Sequence, residues 1–342
     1  MFDAFANEWI VVMYLVAAAA LVFFSIKCAN YVDLLDKKTN MSGAFIGGVI
    51  LAAVTSLPEF VTSLSAIYAV NNPSLIVGNV LGSNVFNLCI FGGLTLITVK
   101  AFSKAKVGKS HRATILCSLV AYGLTAATMY LGQNGKNFAR ISDIEINLAS
   151  ILILVVYGIS IRFLSGDDNE NDEEDTSPLT VKQVVARFVG MACGLVLMSV
   201  LVTMLTDQLQ VRFQLDASLA GAIFLGVATS LPELSSSIAL VRLKNYNAMV
   251  GNVVGSNMFN FTIFAVADIL AGSTVVYTSQ GQTGAMVLFG TVSSLLVLGT
   301  LLLHGREVKN ALQPKNYRVV YAVSGALVLA AYVTSLVVPI GG

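Results

Sequence analysis

The sequence predicts an all-α polytopic membrane protein whose ten transmembrane helices form two inverted five-helix repeats, with helices broken at mid-membrane. Three observations support this fold class: the composition, ten apolar runs and an internal repeat. Of the 342 residues, 56% are hydrophobic and only 11% are charged. Soluble domains carry about 25% charged residues, so this chain has too few to cover a globular surface. The net charge of +1 gives no reason to expect a nucleic-acid partner, and the lipid bilayer is the expected surrounding.

Ten apolar runs are long enough to cross a hydrocarbon core of about 30 Å, which takes about 20 residues. They are predicted to be helices, because backbone groups in lipid must be hydrogen-bonded within the segment. They also lack the polar–apolar alternation of barrel strands. The predicted limits are 9–29, 43–69, 74–99, 112–132, 143–164, 184–206, 217–241, 247–271, 281–303 and 317–338.

The basic residues predict the orientation of these runs. Of the twenty Lys and Arg residues, only Lys136, Arg140 and Arg212 lie on the side that holds both termini. The others lie in loops or span ends on the opposite side, which the positive-inside rule makes cytoplasmic. We therefore expect a multi-pass protein of the cell (inner) membrane with both termini outside.

Two short motifs occur twice. Residues 54–59 read V-T-S-L-P-E and residues 228–233 read A-T-S-L-P-E, at an offset of 174. Residues 78–87 read G-N-V-L-G-S-N-V-F-N and residues 251–260 read G-N-V-V-G-S-N-M-F-N, at an offset of 173. Five spans separate the copies, and an odd number inverts the second copy relative to the membrane. Inverted repeats with interrupted helices are typical of secondary transporters, whose site lies at the repeat interface.

The motifs also define the predicted domains. Residues 1–164 form the first five-helix repeat, with its motifs in about 43–99. Residues 184–342 form the second, with its motifs in about 217–271. Between them lies an acidic cytoplasmic linker, 165–183, which lacks the ligand spacing of an EF-hand loop.

Each copy of the first motif places a glutamate, Glu59 or Glu233, near the middle of a span. A charged carboxylate at that depth costs at least about 2.5–3.5 kcal/mol on insertion scales, so something must offset the charge. No Lys or Arg lies at a matching depth in any span. A bound cation or a proton is therefore the expected partner.

Hydroxyl and amide side chains accompany the glutamates at helical spacing, and residues three or four apart share a helix face. This spacing adds further predicted metal ligands: Thr55, Ser56, Ser83 and Asn87 in the first repeat, and Thr229, Ser230, Ser256 and Asn260 in the second. Proline lacks an N–H, so Pro58 and Pro232 are expected to free main-chain carbonyls of the preceding turn. Four glycines are expected to allow close helix approach: Gly78, Gly82, Gly251 and Gly255.

Every candidate ligand atom is an oxygen, which favours hard cations over zinc or copper. Two carboxylates match the charge of Ca²⁺, which accepts about six to eight oxygens in a flexible shell, whereas Mg²⁺ requires a tighter octahedron. The same oxygens are expected to take Na⁺ instead. We therefore expect Ca²⁺ and Na⁺ as transported ions and no cofactor.

At these residues the sequence resembles the sodium/calcium exchanger family of the cation/calcium antiporters, of prokaryotic type. The resemblance implies antiport of Na⁺ against Ca²⁺ by alternating access, with spans one and six sliding against the other helices. It implies Ca²⁺ on Glu59 and Glu233, assisted by the carbonyls of Thr55 and Thr229. It implies Na⁺ on four serine hydroxyls, with two asparagines at the centre: Ser56, Ser83, Ser230 and Ser256, then Asn87 and Asn260.

The sequence departs from the family pattern in places. Val54 and Ala228 stand where the family usually has Gly, and Asn260 stands where K⁺-dependent relatives commonly have Asp, so K⁺ dependence is not expected. Asp268, near the outer end of span eight, is predicted to be interfacial, and the alternative is a residue that lines the outer vestibule.

Other functions are possible on the same ten-helix arrangement. An H⁺/Ca²⁺ exchanger would be driven by a pH gradient without Na⁺, a Na⁺/Mg²⁺ exchanger would carry the smaller ion, and a channel would pass ions without a counter-ion. An enzyme is not expected, because the sequence has no His-rich metal motif or nucleophile–base pair. The protein is predicted to function as a monomer.

Overall fold

The computed structural model describes residues 5–39, 41–68, 74–133, 147–166, 177–213, 229–271, 277, 283–310 and 314–337. Within these ranges there is no strand, and nine helices are long and apolar enough to cross a membrane. The predicted all-α polytopic membrane fold is therefore confirmed. The seventh predicted span, 217–241, is described only from Thr229 onward, and its first part lies outside the described residues.

We number the helices by the span to which they belong. The first half contains α1 (Asn7–Lys38), α2a (Gly43–Phe45, Ile46–Leu51 and Ala52–Thr55 in succession), α2b (Leu57–Tyr68), α3 (Ser74–Ile97), α4 (Ser110–Gln133) and α5 (Leu148–Ser165). The second half contains α6 (Val181–Arg212), α7 (Leu231–Arg242), α8 (Tyr246–Ala271), α9 (Thr283–Asn310) and α10 (Pro314–Val337). A single helical turn, Val99–Phe102, follows α3.

Helices α3 and α8, which carry the second motif, lie side by side at the centre of the bundle. Helices α4, α5, α9 and α10 pack around them, while α1 packs along α6 and α7. The outward faces of α1 and α6 expose large apolar side chains such as Leu15, Val16 and Leu197. An apolar exterior of this kind is expected where lipid, rather than water, surrounds the protein.

Helix α1 is longer than the apolar run that predicted it. The run ended at residue 29, whereas the helix continues to Lys38 and buries Val32 and Leu35. Asp33 and Asp36 lie in this extension and interrupt the hydropathy signal, although they are only 4% and 2% exposed. The predicted limit at residue 29 therefore falls nine residues short of the end of the helix.

A close helix contact joins α2a to α8. A Cβ atom added at Gly251 would lie 2.9 Å from the main-chain oxygen of Ala44 and from the main-chain nitrogen of Gly48, and one added at Gly255 would overlap the main chain of Gly48. The α2a segment Ile46–Leu51 is wound as a π-helix beside this contact. The predicted close approach is therefore confirmed at both glycines of α8.

The corresponding glycines of α3 behave differently. No described atom lies within 4 Å of a Cβ added at Gly78, and only the methyl group of Met286, at 3.9 Å, lies that near one added at Gly82. By the repeat, the partner of these glycines falls within 214–228, outside the described residues. Close approach at Gly78 and Gly82 stays a prediction.

The helices that carry the first motif are interrupted as predicted. Ser56, between α2a and α2b, has ψ of 7°, and Ser230, before α7, has ψ of 5°. Pro58 and Pro232 occupy the first turn of the helix that follows each interruption, where a missing N–H removes no helical hydrogen bond. The interruption brings Glu59 and Glu233 to the start of a new helix.

Candidate functional site

Glu59 and Glu233 are fully buried, each in the first turn of the helix that follows its interruption. The two carboxylates lie close enough to interact electrostatically. Among the described residues, neither forms an ion pair with Lys, Arg or His. The structure therefore holds two acids from opposite halves in one buried region without a basic partner in the described part of the chain.

Hydroxyl groups reach these acids across the two halves. Ser56 donates to Oε1 of Glu233 at 2.9 Å, although these residues belong to different repeats. Ser83 donates to Oε1 of Glu59 at 3.0 Å and also lies 3.2 Å, hydroxyl to hydroxyl, from Ser230. Ser230 also interacts with the Glu59 carboxylate. The arrangement is crosswise, because each carboxylate lies beside the motif serine of the other half.

Three further predicted ligands are buried beside this pair. Ser256 donates a long hydrogen bond of 3.5 Å to Glu233 Oε1, and the Thr55 hydroxyl lies 3.4 Å from that of Ser256. Thr229 is buried next to Ser230 and interacts with Glu59. The structure thus brings the predicted Thr and Ser side chains of both repeats together with the glutamates.

The two predicted asparagines differ. Asn260 donates to Ser83 at 3.3 Å and to the side-chain oxygen of Asn84 at 3.0 Å, so it lies within the cluster. Asn87 is equally buried, but neither of its side-chain polar atoms has a hydrogen-bond partner among the described residues. The ligand role of Asn87 stays a prediction.

Sequence reasoning missed the asparagines that support the site. Asn79 donates to the main-chain oxygen of Glu59 at 3.2 Å, and Asn252 donates to Ser236 and Ser237 at 3.0 Å each. Asn84 links α3 to α8 by accepting from Asn260. All three asparagines belong to the repeated G-N-x-x-G-S-N-x-F-N motif, but the sequence analysis predicts only its serine and its last asparagine as ligands.

Several oxygens in this region have no hydrogen-bond donor among the described residues. They include Oε2 of Glu59, Oε2 of Glu233 and the side-chain oxygens of Asn87 and Asn260. Buried polar atoms are normally paired, and a desolvated cation is one partner that such oxygens accept. In the described ranges, no three His, Cys, Asp or Glu side chains are grouped so that they could hold a metal ion, so a cation here would depend on neutral oxygens as well as on the two carboxylates.

The interfacial assignment of Asp268 was wrong. This residue is fully buried, and its Oδ2 accepts hydrogen bonds from the main-chain N–H of Asn147 at 3.2 Å and from the hydroxyl of Ser150 at 2.7 Å. The Ser150 hydroxyl also lies 2.7 Å from that of Tyr277. Asp268 therefore binds the first turn of α5 to α8, which a position near the end of a hydrophobic run did not reveal.

Both halves of the chain match a known protein family. Residues 9–166 and 184–341 match the family described as sodium/calcium exchanger protein. The chain is 26% identical over 243 residues to the inner membrane protein YrbG of Escherichia coli (strain K12), which covers 68% of this chain and 70% of that protein. It is 24% identical over 291 residues to CaxA of Alkalimonas amylolytica, which covers 84% of this chain and 88% of that protein.

The fold is also similar to solved structures of the sodium-calcium exchanger NCX_Mj. One, soaked with 2.5 mM Na⁺ and 1 mM Sr²⁺, has a TM-score of 0.69 at 19% identity and covers 97% of this chain and 99% of that chain. Another, soaked with 2.5 mM Na⁺ and 0.1 mM Sr²⁺, has a TM-score of 0.66 at 20% identity and covers 95% and 97%. With both halves matched, the conclusion is that this multi-pass chain belongs to the sodium/calcium exchanger protein family of membrane antiporters.

Proposed function

We propose that this protein exchanges Na⁺ for Ca²⁺ by alternating access through one site built around Glu59 and Glu233. The observation that carries the proposal is the crosswise pair of buried carboxylates, each beside a serine hydroxyl of the opposite half and neither in an ion pair within the described chain. Such a pair presents about two negative charges and a set of neutral oxygens, which suits a desolvated Ca²⁺.

Each predicted ligand has a proposed role. Ca²⁺ binds between the carboxylates of Glu59 and Glu233, with the main-chain carbonyls of Thr55 and Thr229 completing part of its shell. Na⁺ ions bind the serine hydroxyls, with the amide oxygens at the centre of the site: Ser56, Ser83, Ser230 and Ser256, then Asn87 and Asn260. Ser56 and Ser83 both contact the carboxylates, which supports an overlap between the Na⁺ positions and the Ca²⁺ position.

Exchange follows from this overlap. Because the oxygens proposed for Na⁺ contact the carboxylates proposed for Ca²⁺, one kind of ion must leave before the other binds. A bound ion changes the equilibrium between the inward- and outward-facing conformations only through its different affinity for the two. No further coupling machinery is therefore required. If more than two Na⁺ replace one Ca²⁺, each cycle moves net charge, and we propose that transport is electrogenic.

We also propose which side of the membrane the linker and the termini occupy. The excess of basic residues on one side supports a cytoplasmic location for the 165–183 linker and an outer location for both termini, in the cell membrane. Residues 1–164 and 184–342 act as the two inverted repeats, and one chain is sufficient for transport, because both halves of the site come from it.

Uptake of radioactive Ca²⁺ into proteoliposomes loaded with Na⁺ tests this function. We expect uptake when the outside solution lacks Na⁺, and loss of that uptake when the Na⁺ gradient is removed. Glu59→Gln and Glu233→Gln should each reduce uptake to that of protein-free vesicles. Glu8→Gln, at an exposed position in the first turn of α1, is the matched control and should transport normally.

The same vesicles separate the alternatives. Uptake driven by a pH gradient without Na⁺ would replace the proposal by H⁺/Ca²⁺ exchange, and Na⁺-driven Mg²⁺ uptake without Ca²⁺ uptake would replace it by Na⁺/Mg²⁺ exchange. Ca²⁺ flux that needs no counter-ion would indicate a channel. Normal transport by both glutamine variants would show that the site lies elsewhere.

A further inference from the structure

The extended end of α1 places two buried aspartates against the turn that joins α7 to α8. The side-chain nitrogen of Asn245, in that turn, donates to Oδ1 of Asp33 at 3.0 Å and to Oδ2 of Asp36 at 2.8 Å. One amide group therefore binds two carboxylates, which lie one helical turn apart on α1. Hydrogen bonds to charged acceptors are stronger than those between neutral groups.

The Asn245 side chain is held firmly by its own turn. The main-chain N–H of Asn245 donates to the carbonyl of Leu240 in α7 at 2.9 Å. Its side-chain oxygen accepts from the N–H of Ala248 in the first turn of α8 at 3.0 Å. Lys244, just before it, has φ of 62°, an uncommon value for a residue other than glycine. The amide is thus fixed with its two N–H groups directed at α1.

Two other groups contact the aspartates. The Lys37 ammonium lies 3.1 Å from Oδ2 of Asp33, on the same helix. The carboxylate of Asp36 lies against Gly43, the first residue of α2a, where an added Cβ would be 2.6 Å from Oδ2. The aspartates therefore occupy the point where α1, α2a and the α7–α8 turn meet.

A second contact on α1 reaches the proposed ion site. Ser25, fully buried, donates to the main-chain carbonyl of Pro232 at 2.6 Å, directly before Glu233. Ser25 and Asp33 are eight residues apart, or about 12 Å along a helix. Helix α1 is thus hydrogen-bonded to its neighbours at two places, next to Glu233 and at the end of the bundle.

The two halves of the molecule are not packed alike at this position. The repeat equivalent of Ser25, at the offset of 174, is Ser199 in α6, and its hydroxyl donates at 2.8 Å to Leu195 within its own helix rather than to another helix. The same offset relates Asp33 to Asp207 and Asn245 to Asn71 in the sequence. Asp36, however, corresponds to Gln210, so the second aspartate of the contact does not recur. Within the described residues, the α1 serine bonds to a neighbouring helix, whereas the bond of the α6 serine stays within its own helix.

We propose that Asp33, Asp36 and Asn245 form a latch, the α1 latch, that holds α1 against the α7–α8 turn in one state of the transport cycle and opens in the other. This inference rests on the proposed function, because it assumes that α1 moves relative to α7 and α8.

Hydrogen–deuterium exchange of the full-length protein in lipid nanodiscs tests the latch itself. Asn245→Ser keeps a side-chain oxygen that can cap α8 but removes the amide that binds both aspartates. We expect exchange in residues 28–38 to become about tenfold faster, since hydrogen bonds to charged groups are lost. Asn147→Ser is the matched control, because Asn147 caps α5 in the same way, and it should leave residues 28–38 unchanged.

A reversible cross-link tests whether the latch must open. In a variant whose four native cysteines are replaced by serine, Asp36→Cys and Asn245→Cys are joined with a short bis-methanethiosulfonate reagent. We expect Na⁺-driven Ca²⁺ uptake to stop on cross-linking and to return after reduction, while the two single-cysteine variants are unaffected by the reagent.

The outcomes distinguish this inference from the proposed function. Unchanged exchange in Asn245→Ser, equal acceleration in Asn147→Ser, or normal uptake by the cross-linked protein would each overturn the latch. Absence of Na⁺-driven uptake by the wild-type protein would overturn the proposed function instead, and the exchange experiment would still report on the latch contact.

Discussion

The hydroxyl of Ser56 donates a 2.9 Å hydrogen bond to Glu233, a residue 177 positions away in the other half of the chain. Ser230 interacts with Glu59 in the corresponding way, while Ser83 donates to Glu59 from within the same half and lies beside Ser230, so each carboxylate has a serine of the other half next to it. Neither repeat supplies this cluster of side chains by itself. The interruptions at Ser56 and Ser230 produce this arrangement, because each one directs a serine toward the opposite half.

We expect Ser56→Ala to weaken Ca²⁺ binding about tenfold or more, because a hydrogen bond to a charged group contributes about 1.5–3 kcal/mol. The alanine cannot orient the Glu233 carboxylate. Microscale thermophoresis with Ca²⁺ on the purified variant measures the effect. Ser118→Ala is the control, since that hydroxyl donates only to Thr114 within α4. Equal affinities of Ser56→Ala and Ser118→Ala would contradict the crosswise arrangement.

Gly255→Ala should destabilise the protein, because the added methyl group would overlap the main chain of Gly48 in α2a. Overpacking in a close-packed region costs about 1–3 kcal/mol or more, which should appear as a lower thermal unfolding temperature in detergent. Gly158→Ala, where no described atom lies within 4 Å of the added carbon, should unfold at or above the wild-type temperature. If the two variants unfold alike, the contact between α2a and α8 is not as close as described.

Asp268→Leu is expected to lower stability and to leave Ca²⁺ affinity unchanged. The substitution strands the buried N–H of Asn147, while the Ser150 hydroxyl loses the carboxylate and keeps its contact with Tyr277. An unsatisfied buried donor costs about 1–3 kcal/mol. Thermal unfolding and Ca²⁺ titration of the same preparation separate the two effects. A variant with normal stability but weaker Ca²⁺ binding would place Asp268 on the ion pathway rather than in the scaffold.

Much of the fold was predictable, because hydropathy and the repeat respond to strong physical constraints. A span must be apolar over about 20 residues, so nine predicted spans have matching long helices in the described ranges. Helix ends were less predictable. The extension of α1 to Lys38 contains Asp33 and Asp36, whose burial depends on Asn245 from a distant turn, and no local pattern contains that information.

The candidate site was predictable in residue type and only partly in detail. Helical spacing selected the glutamates and serines, which the structure brings together, because three- and four-residue spacing fixes a shared face. The spacing did not reveal that Asn260 bonds to Asn84, while Asn87 has no described partner. Contacts between helices depend on register, which a single sequence with two repeats does not specify.

Calcium titration of the purified protein by isothermal calorimetry, first without Na⁺ and then at rising Na⁺, tests most directly whether both ions share the two buried carboxylates. The account predicts a saturable Ca²⁺ heat that Na⁺ displaces with a steeper than linear dependence, and that disappears in both Glu59→Gln and Glu233→Gln but not in Glu8→Gln. Ca²⁺ binding that is indifferent to Na⁺, or that survives in both glutamine variants, would contradict it.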